Sequence, residues 1–245
     1  MTRQSSDISR EPEIFTGIDV VSCEIDGKPM LFAVDMENDP IQRNHRRGQF
    51  YELKELRLIS RWFPKGGVFV DIGANVGNHS LFVARFLQPA AVIPFEPNPL
   101  AYKLLRANVH LNGWSDVFDL RHLGFGVSAG AASGYAMEKR DRNLGGAKML
   151  EGEGEIEVRS GDEMLSGVAP SMIKIDVEGM EMDVLSGLEA TVTTFMPPMM
   201  VEVDDENADA FGTWVKAHGY KTQRQLRHYK TNENFFIVPD QQART

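Results

Sequence analysis

Three carboxylic acids lie close together after the short apolar run Met172–Ile175. Asp176, Glu178 and Glu181 follow this run, and Gly179 allows the chain to turn sharply among them. Acids grouped at the end of a strand can bind hydroxyl groups, and one of them can act as a general base towards an alcohol. Two other interpretations stay open. Glu178 and Glu181 could cap the following helix, or the three acids could hold a divalent ion, although further ligands are not evident.

A glycine turn at residues 73–77 follows a second apolar run, Val68–Ile72. Its sequence, Gly-Ala-Asn-Val-Gly, has Asn75 in place of the second glycine of the dinucleotide fingerprint, the glycine that lets a pyrophosphate approach the backbone. No Gly-Lys-Ser/Thr follows, so a P-loop is excluded. Glu96 lies 25 positions after Asp71, where an acid can accept hydrogen bonds from ribose hydroxyls. The pattern favours a ligand with a ribose and no phosphate, such as S-adenosylmethionine (SAM).

The remaining cofactor residues are expected on the glycine turn, at the helix start after it and at the ends of neighbouring strands. Asp71 could receive the SAM ammonium or could hold the turn, and Glu96 could instead cap the next helix. The predicted cofactor-binding residues are Asp71, Gly73, Ala74, Asn75, Gly77, Asn78, Glu96, Pro97, Asn98, Gly124, Phe125 and Asp176.

Methyl transfer from a sulfonium to an alcohol requires that donor and acceptor are held in line and that a base takes the hydroxyl proton. The predicted catalytic residues are Asp176, Glu178, Glu181 and His79. His79 starts the helix after the glycine turn, where a structural histidine is the alternative. Acceptor contacts are predicted from Asn143, Gly146 and Glu202, which could equally be a flexible loop and a polar strand end. No metal is predicted.

The elements that must position these residues alternate between strand and helix. Such alternation indicates a Rossmann-like α/β fold with a mostly parallel sheet, here of seven strands with an antiparallel pair at the end. We expect an N-terminal extension (1–48) with a hairpin turning at Asp26-Gly27, a domain (49–240) with an insertion or lid at 128–160, and a flexible tail (241–245). Helices are predicted at 49–63, 78–87, 99–111, 181–192 and 208–218, and strands at 68–72, 91–95, 117–125, 172–175, 199–203, 221–229 and 234–238.

Several of these motifs together resemble the FkbM family of SAM-dependent methyltransferases. The resemblance spans residues 51–239, and its most specific part is Asp-x-Glu-Gly-x-Glu at 176–181. Asn78-His79-Ser80 is similar to a subgroup close to sugar 2-O-methyltransferases of the rhizobial Nod-factor type. The resemblance implies a class I SAM methyltransferase fold and transfer of a methyl group to an oxygen, commonly a sugar hydroxyl, with S-adenosylhomocysteine as product. The other matching motifs lie at 71–77, 95–99, 105–112, 143–146, 184–187 and 234–239.

Composition narrows the possible partners and location. The net charge of −9 argues against nucleic acid, and the one basic cluster, at 43–47, is either a solvated surface or an anion-reading loop. Cys23 is the single cysteine, and neither a signal peptide nor an apolar run of about 18 residues is visible, so we expect a cytoplasmic protein without a membrane span.

Three hypotheses about function follow from the sequence. The first is a SAM-dependent O-methyltransferase acting on a sugar or glycoconjugate. The second is methylation of a small polyketide, peptide or carboxylate. The third is a non-catalytic SAM-fold binding protein, which the joint presence of Asp71, Glu96, Asp176 and Glu178 disfavours.

Overall fold

A computed structural model of the chain describes residues 15–140, 142–152, 154–227 and 230–240. The first 14 residues of the predicted extension, the end of the strand predicted to reach Tyr229, and the predicted tail at 241–245 lie outside these ranges. The strands are β1 (Asp19–Ile25), β2 (Lys28–Val34), β3 (Val68–Ile72), β4 (Ala91–Phe95), β5 (Phe125–Ser128), β6 (Ala132–Met137), β7 (Met149–Glu151), β8 (Ile156–Ser160), β9 (Met172–Ile175), β10 (Met199–Asp204), β11 (Tyr220–Leu226) and β12 (Asn232–Pro239). The helices are α1 (Pro40–Arg46), α2 (Leu53–Trp62), α3 (Asn78–Phe86), α4 (Pro99–Leu111), α5 (Gly161–Met164), α6 (Glu181–Gly187), α7 (Glu189–Phe195) and α8 (Ala208–Ala217).

The main sheet confirms the predicted Rossmann-like α/β class. Its strand order is β11-β12-β10-β9-β3-β4, in which β10, β9, β3 and β4 are parallel. Strand β12 runs antiparallel to β10, and β11 antiparallel to β12, so the chain ends in the expected antiparallel pair. Because β3 and β9 lie at the centre of the sheet, the residues that follow them are neighbours at its carboxyl edge.

Helices cover both faces of this sheet. Side chains alternate along a strand, so Phe69 packs on one face of β3 while Val70 and Ile72 pack on the other. The first face is buried under α2, α3, α4 and the β1–β2 hairpin, and the second under α6, α7 and α8. No helix in the described ranges combines the length and apolar character of a membrane span.

The main sheet has six strands instead of the expected seven, because residues 117–124 add no strand to it and Phe125 begins β5 of the second sheet. Phe118 makes a single isolated bridge with Val92, and the chain then turns at Asp119 and Arg121. The Asp119 carboxylate accepts hydrogen bonds from the backbone N–H of Arg121 at 3.2 Å and from its Nε at 2.8 Å. The contact between Asp119 and Arg121 stabilises a turn at a place where the apolar pattern predicted a strand. The chain then enters a separate four-stranded sheet with the order β5-β8-β6-β7.

Other boundaries also differ from the sequence predictions. The helix expected over 181–192 is divided into α6 and α7. The first of them ends at Gly187, which packs so closely on the backbone of Ser128 that a Cβ there would overlap the carbonyl oxygen. The basic cluster at 43–47 lies mostly in α1 and not in a loop, and Arg43 and Arg47 are exposed, as expected for a solvated surface. That helix begins at Pro40, and the carboxylate of Asp39 caps it by accepting from the backbone N–H of Gln42 at 3.0 Å.

The β1–β2 hairpin turns at Asp26-Gly27 as predicted and rests on α4. Two asparagine side chains, one in α4 and one just after it, accept hydrogen bonds from backbone N–H groups of β2. Asn108 Oδ1 accepts from the backbone N–H of Ala33 at 2.6 Å, and Asn112 Oδ1 accepts from that of Leu31 at 3.1 Å. The hairpin is therefore joined to the main body, and its division from a domain at 49–240 stays a prediction.

Candidate active site

A cavity of about 480 Å³ opens at the carboxyl edge of the main sheet, where β3, β4, β9 and β10 end. A volume of this size suits a small-molecule ligand. It brings together most of the residues that the sequence predicted. Those that line it are Gly73, Ala74, Asn75, Asn78, His79, Glu96, Pro97, Phe125, Asn143, Gly146, Asp176, Glu178 and Glu202.

Glu96 follows β4 directly and is 6% exposed. Its Oε2 accepts from the backbone N–H of Asn75 at 2.7 Å, and its Oε1 accepts from that of Asn98 at 2.8 Å. Burial raises the pKa of Glu96 to about 7. The next helix is capped by the Asn98 side chain, which accepts from the N–H of Leu100 at 3.0 Å. Each oxygen of Glu96 keeps a further lone pair that can accept from a ligand hydroxyl.

The glycine turn brings the ends of β3 and β9 into contact. Gly73 has a φ of +78°, and a Cβ at this position would overlap the carbonyl oxygen of Asp176. Asn75 is also left-handed, with a φ of 52°, and its Oδ1 accepts from the backbone N–H of Val76 at 2.7 Å. Only glycine allows the approach at Gly73, so the turn and Asp176 form one rigid edge of the cavity.

Asp71 lies beneath the glycine turn and is fully buried, so it does not line the cavity. Its Oδ2 accepts from the Ser80 hydroxyl at 2.6 Å, and its Oδ1 lies 3.4 Å from Lys174 Nζ. This position does not support a direct contact between Asp71 and the SAM ammonium, and a contact through the loop and water stays a prediction. Gly77, Asn98 and Gly124, which were also expected at the cofactor, do not line the cavity either.

Lys174 is the central charge of the site, and the sequence analysis missed it. It is 5% exposed, and its ammonium lies 2.8 Å from the carbonyl oxygen of Gly73 and 3.0 Å from Asp176 Oδ2. Burial opposes the charged form, but Asp176 and Asp71 outweigh it and raise the pKa of Lys174. The available signal was a lysine inside the apolar strand Met172–Ile175, because a buried lysine requires a partner.

Three carboxyl groups converge opposite this lysine. Oxygens of Asp176, Glu178 and Glu202 lie within 4.8 Å of one another, a spacing that could hold a metal ion. Burial opposes ionisation of Asp176, but Lys174 and a hydrogen bond with Glu202 hold its pKa below the ordinary value. Burial and the charge of Asp176 raise the pKa of Glu202 to about 11, so Glu202 keeps its proton and donates to Asp176.

Glu178 differs from its two neighbours in having a pKa near neutrality. Burial, followed by the charges of Asp176 and Asp204, raises the pKa of Glu178 to about 7. Its backbone is left-handed, with a φ of 52°, which is uncommon for a residue other than glycine. Left-handed residues of this kind cluster at functional sites.

His79 lies on the cavity wall with a second residue that the sequence analysis missed, Glu52. The Nε2 of His79 lies 3.5 Å from Glu52 Oε2. Burial, aided by Lys174, lowers the pKa of His79 to about 4, so the imidazole is neutral near pH 7. Burial and the charge of Asp176 raise the pKa of Glu52 to about 8. No local pattern indicated Glu52, which stands between a loop and α2 with a φ of 56°.

Glu181 does not belong with the other acids. It is fully buried, does not line the cavity, and its Oε1 accepts from the backbone N–H of Asp204 and the side chain of Asn207, both at 2.9 Å. These contacts engage Glu181 in holding the end of β10, so its position does not support the predicted catalytic role.

The insertion contributes a loop, residues 142–148, that covers the cavity between β6 and β7. The backbone N–H of Leu144 donates to Asp39 Oδ2 at 3.0 Å, and that of Gly146 to Asn143 Oδ1 at 3.3 Å. A Cβ at Gly145 would lie 2.9 Å from Asn75 Nδ2, so the loop lies directly against the glycine turn. Asn143 and Gly146 therefore stand where the sequence predicted them, on the cavity wall.

These features define a Rossmann-like methyltransferase domain of the SAM-dependent class. They are an open α/β sheet, a glycine turn without the second glycine of the dinucleotide fingerprint, an acid directly after β4 and a final antiparallel pair of strands. The chain belongs to the FkbM methyltransferase family. The model described as "Methyltransferase FkbM domain" matches residues 71–222.

Individual proteins resemble the chain over most of its length. Hexuronic acid methyltransferase AglP of Haloferax volcanii is 30% identical over 170 residues, which cover 67% of this chain and 66% of AglP. The structure of methyltransferase FkbM from Methylobacillus flagellatus KT matches with a TM-score of 0.51 and 18% identity, covering 71% of this chain and 44% of that one.

A third match shares the fold alone. It is Streptococcus pneumoniae Sp1610 in complex with S-adenosyl-L-methionine, with a TM-score of 0.51, 13% identity, and coverage of 76% of this chain and 72% of that one. The chain spans about two thirds of the length of three curated methyltransferases that it resembles.

Proposed function

We propose that the protein transfers the methyl group of SAM to a hydroxyl group of a sugar or glycoconjugate. The observation that carries the proposal is the arrangement of the cavity. The glycine turn and Glu96 line one part of the cavity, and Asp176, Glu178 and Glu202 gather next to them beside Lys174. The name of AglP, a hexuronic acid methyltransferase, supports an oxygen acceptor on a carbohydrate.

The residues of the cavity fit SAM. The two oxygens of Glu96 are oriented by backbone N–H groups of Asn75 and Asn98 and retain acceptor capacity for both ribose hydroxyls. Gly73 keeps the backbone free of side-chain atoms beside them. When bound, SAM supplies a methyl group on a positively charged sulfur. The acidic wall favours that positive charge electrostatically.

Glu178 is the best candidate for the general base. Its pKa of about 7 combines a substantial ionised fraction near neutrality with enough basicity to accept a hydroxyl proton. Asp176 is held ionised by Lys174 and can accept a hydrogen bond that orients the acceptor. Glu202, which keeps its proton, can donate to a second acceptor oxygen. Neutral His79 is the alternative base.

Other parts of the assignment remain predictions. Asp176, Glu178 and Glu202 could hold a divalent ion, but the ammonium of Lys174 already lies 3.0 Å from Asp176 and competes for the same charge, so we expect no metal requirement. The cytoplasmic location and the absence of a nucleic-acid acceptor rest on the sequence alone.

The test is methyl transfer from radiolabelled SAM to a panel of sugars and glycolipids, comparing Glu178→Gln with the wild type. The amide keeps the shape of Glu178 but cannot take a proton, so turnover should fall about 10²–10⁴-fold with little change in S-adenosylhomocysteine affinity. Glu181→Gln is the matched control, because its amide oxygen can still accept both observed hydrogen bonds.

Two results would contradict the proposal. Near-normal turnover of Glu178→Gln, and of Asp176→Asn measured separately, would remove these acids from catalysis. Absence of S-adenosylhomocysteine binding by the wild type would remove the cofactor assignment, and with it the methyl transfer.

A further inference from the structure

The cavity beyond the glycine turn is rich in carboxyl groups. We define its acceptor half by five carboxyl groups that line it, those of Glu52, Asp176, Glu178, Glu202 and Asp204. They come from three separate parts of the chain, and the first stands outside the region 71–222 that the family model matches. Their convergence is a property of the folded cavity, and it bears on which acceptors can enter.

Each cationic side chain that lines the cavity in the described ranges already has a carboxylate partner. Lys174 lies 3.0 Å from Asp176, Lys148 lies 3.0 Å from Asp204, and Arg140 lies 2.8 Å from Glu138. By contrast, Glu52, Glu178 and Glu202 have no lysine or arginine within ion-pair distance among the described residues, and the His79 that lies 3.5 Å from Glu52 is neutral. Among the described residues, the acceptor half thus has more carboxyl groups than cations, and each of its cations is already paired.

A negatively charged ligand would meet this excess directly. The pKa values of Glu52, Glu178 and Glu202 are raised to about 8, 7 and 11, first by burial and next by the charge of Asp176. The carboxyl groups already disfavour one another's ionisation, and a ligand carboxylate or phosphate would add a further like charge in a region of low dielectric. Hydroxyl and ammonium groups, by contrast, can donate to the same oxygens.

We propose that the acceptor half selects a hydroxyl compound without negative charge, a neutral polyol or an amino sugar in its ammonium form, and rejects uronates and sugar phosphates. The inference rests on the proposed function and refines its substrate class. It also separates this chain from AglP, whose name gives a hexuronic acid as its acceptor.

The experiment measures binding to protein saturated with S-adenosylhomocysteine, so that no turnover is needed. Methyl glucoside, glucosamine and glucuronate share one ring and differ in charge, and their dissociation constants are obtained by calorimetry or ligand-observed NMR. We expect glucuronate to bind at least about 30-fold more weakly than methyl glucoside, because like charges are juxtaposed. Glucosamine should bind at least as well as the neutral sugar.

Asp204→Asn tests the cause of the discrimination. The change releases Lys148 from its carboxylate and gives the cavity a free ammonium, so the penalty on glucuronate should shrink about tenfold. The matched control is Asp205→Asn, the same substitution one residue later, where the carboxylate pairs with Arg227 at 2.8 Å on the surface. This control should leave the order of the three sugars unchanged.

Three outcomes would overturn the inference. Equal binding of glucuronate and methyl glucoside, with no effect of Asp204→Asn, would refute charge selection while methyl transfer to sugars could stand. Strong glucuronate binding that appears with Mg²⁺ and disappears with EDTA would mean that the acids hold a cation instead. If S-adenosylhomocysteine binds but none of the three sugars does, the sugar class fails together with the proposed function.

Discussion

Replacing Gly73 by alanine should separate the close contact between the glycine turn and Asp176 from ordinary backbone strain. Gly73 has a φ of +78°, and its added Cβ would overlap the carbonyl oxygen of Asp176. Gly66 has nearly the same φ, +76°, but nothing lies within 4 Å of the Cβ built there. The pair Gly73→Ala and Gly66→Ala therefore shares the strain and differs in the collision.

The magnitude follows from the contacts that must open. Alanine in the left-handed region costs about 1–2 kcal/mol, and this is the whole expected loss for Gly66→Ala. At Gly73 the overlap forces apart strand ends joined by the hydrogen bonds from Gly73 to Phe95, at 2.9 Å, and from Lys174 to Gly73, at 2.8 Å. Losing these bonds adds about 2–4 kcal/mol, the charged one contributing more.

Urea unfolding of the three proteins measures the free energies, and calorimetry with S-adenosylhomocysteine measures the effect on the cavity. Gly73→Ala should be the less stable variant by about 2–4 kcal/mol and should lose affinity at least tenfold, whereas Gly66→Ala should bind like the wild type. If the two variants are equally stable, the contact between Gly73 and Asp176 is not what requires glycine, and the rigid-edge argument fails.

Two further predictions concern charge. Glu96→Ala should weaken S-adenosylhomocysteine binding by about 1.5–3 kcal/mol in calorimetry, because charge-assisted bonds to the ribose are lost; unchanged affinity would leave Glu96 with only its turn-holding role. Stability should fall by about 1–3 kcal/mol between about pH 6.5 and 8 in urea unfolding. In the folded state the pKa is about 8 for Glu52 and about 7 for Glu96 and Glu178, above the ordinary 4.5. Between about pH 6.5 and 8 the folded protein therefore loses protons that the unfolded chain has already lost at lower pH, and folding becomes less favourable. Below about pH 6.5 the lowered pKa of His79 opposes this trend. Glu52→Gln should flatten the fall, and a rise of stability with pH over this interval would contradict the assignment.

The cofactor end could be predicted from the sequence because its signals are local. A buried strand, a glycine turn and a helix start follow one another within β3 and α3, and the parallel order then fixes where Glu96 must lie. The acidic wall was only partly predictable. Asp176, Glu178 and Glu181 are close in sequence, yet the backbone turn at Gly179 directs the first two to the cavity and leaves Glu181 buried behind it.

The missed residues reach the site through tertiary packing. Lys174 stands inside a strand whose pattern indicated only burial. Its three partners are Asp71 in β3, Gly73 just after β3 and Asp176 just after β9. Glu52 directly precedes an amphipathic helix, and its own left-handed backbone brings the side chain to His79. No local sequence motif indicates that conformation. The seventh strand was over-predicted because the apolar pattern at 117–125 did not reveal the Asp119–Arg121 turn.

The two halves of the cavity have different origins along the chain. The cofactor end belongs mainly to one continuous segment, 73–98, and the carboxylate of Glu96 is fixed there by backbone N–H groups. The acceptor half is assembled from residue 52, the insertion loop and the ends of β9 and β10. Substitutions on the insertion loop can therefore change which acceptor fits, while the segment that holds the cofactor and the acids proposed for catalysis are left untouched.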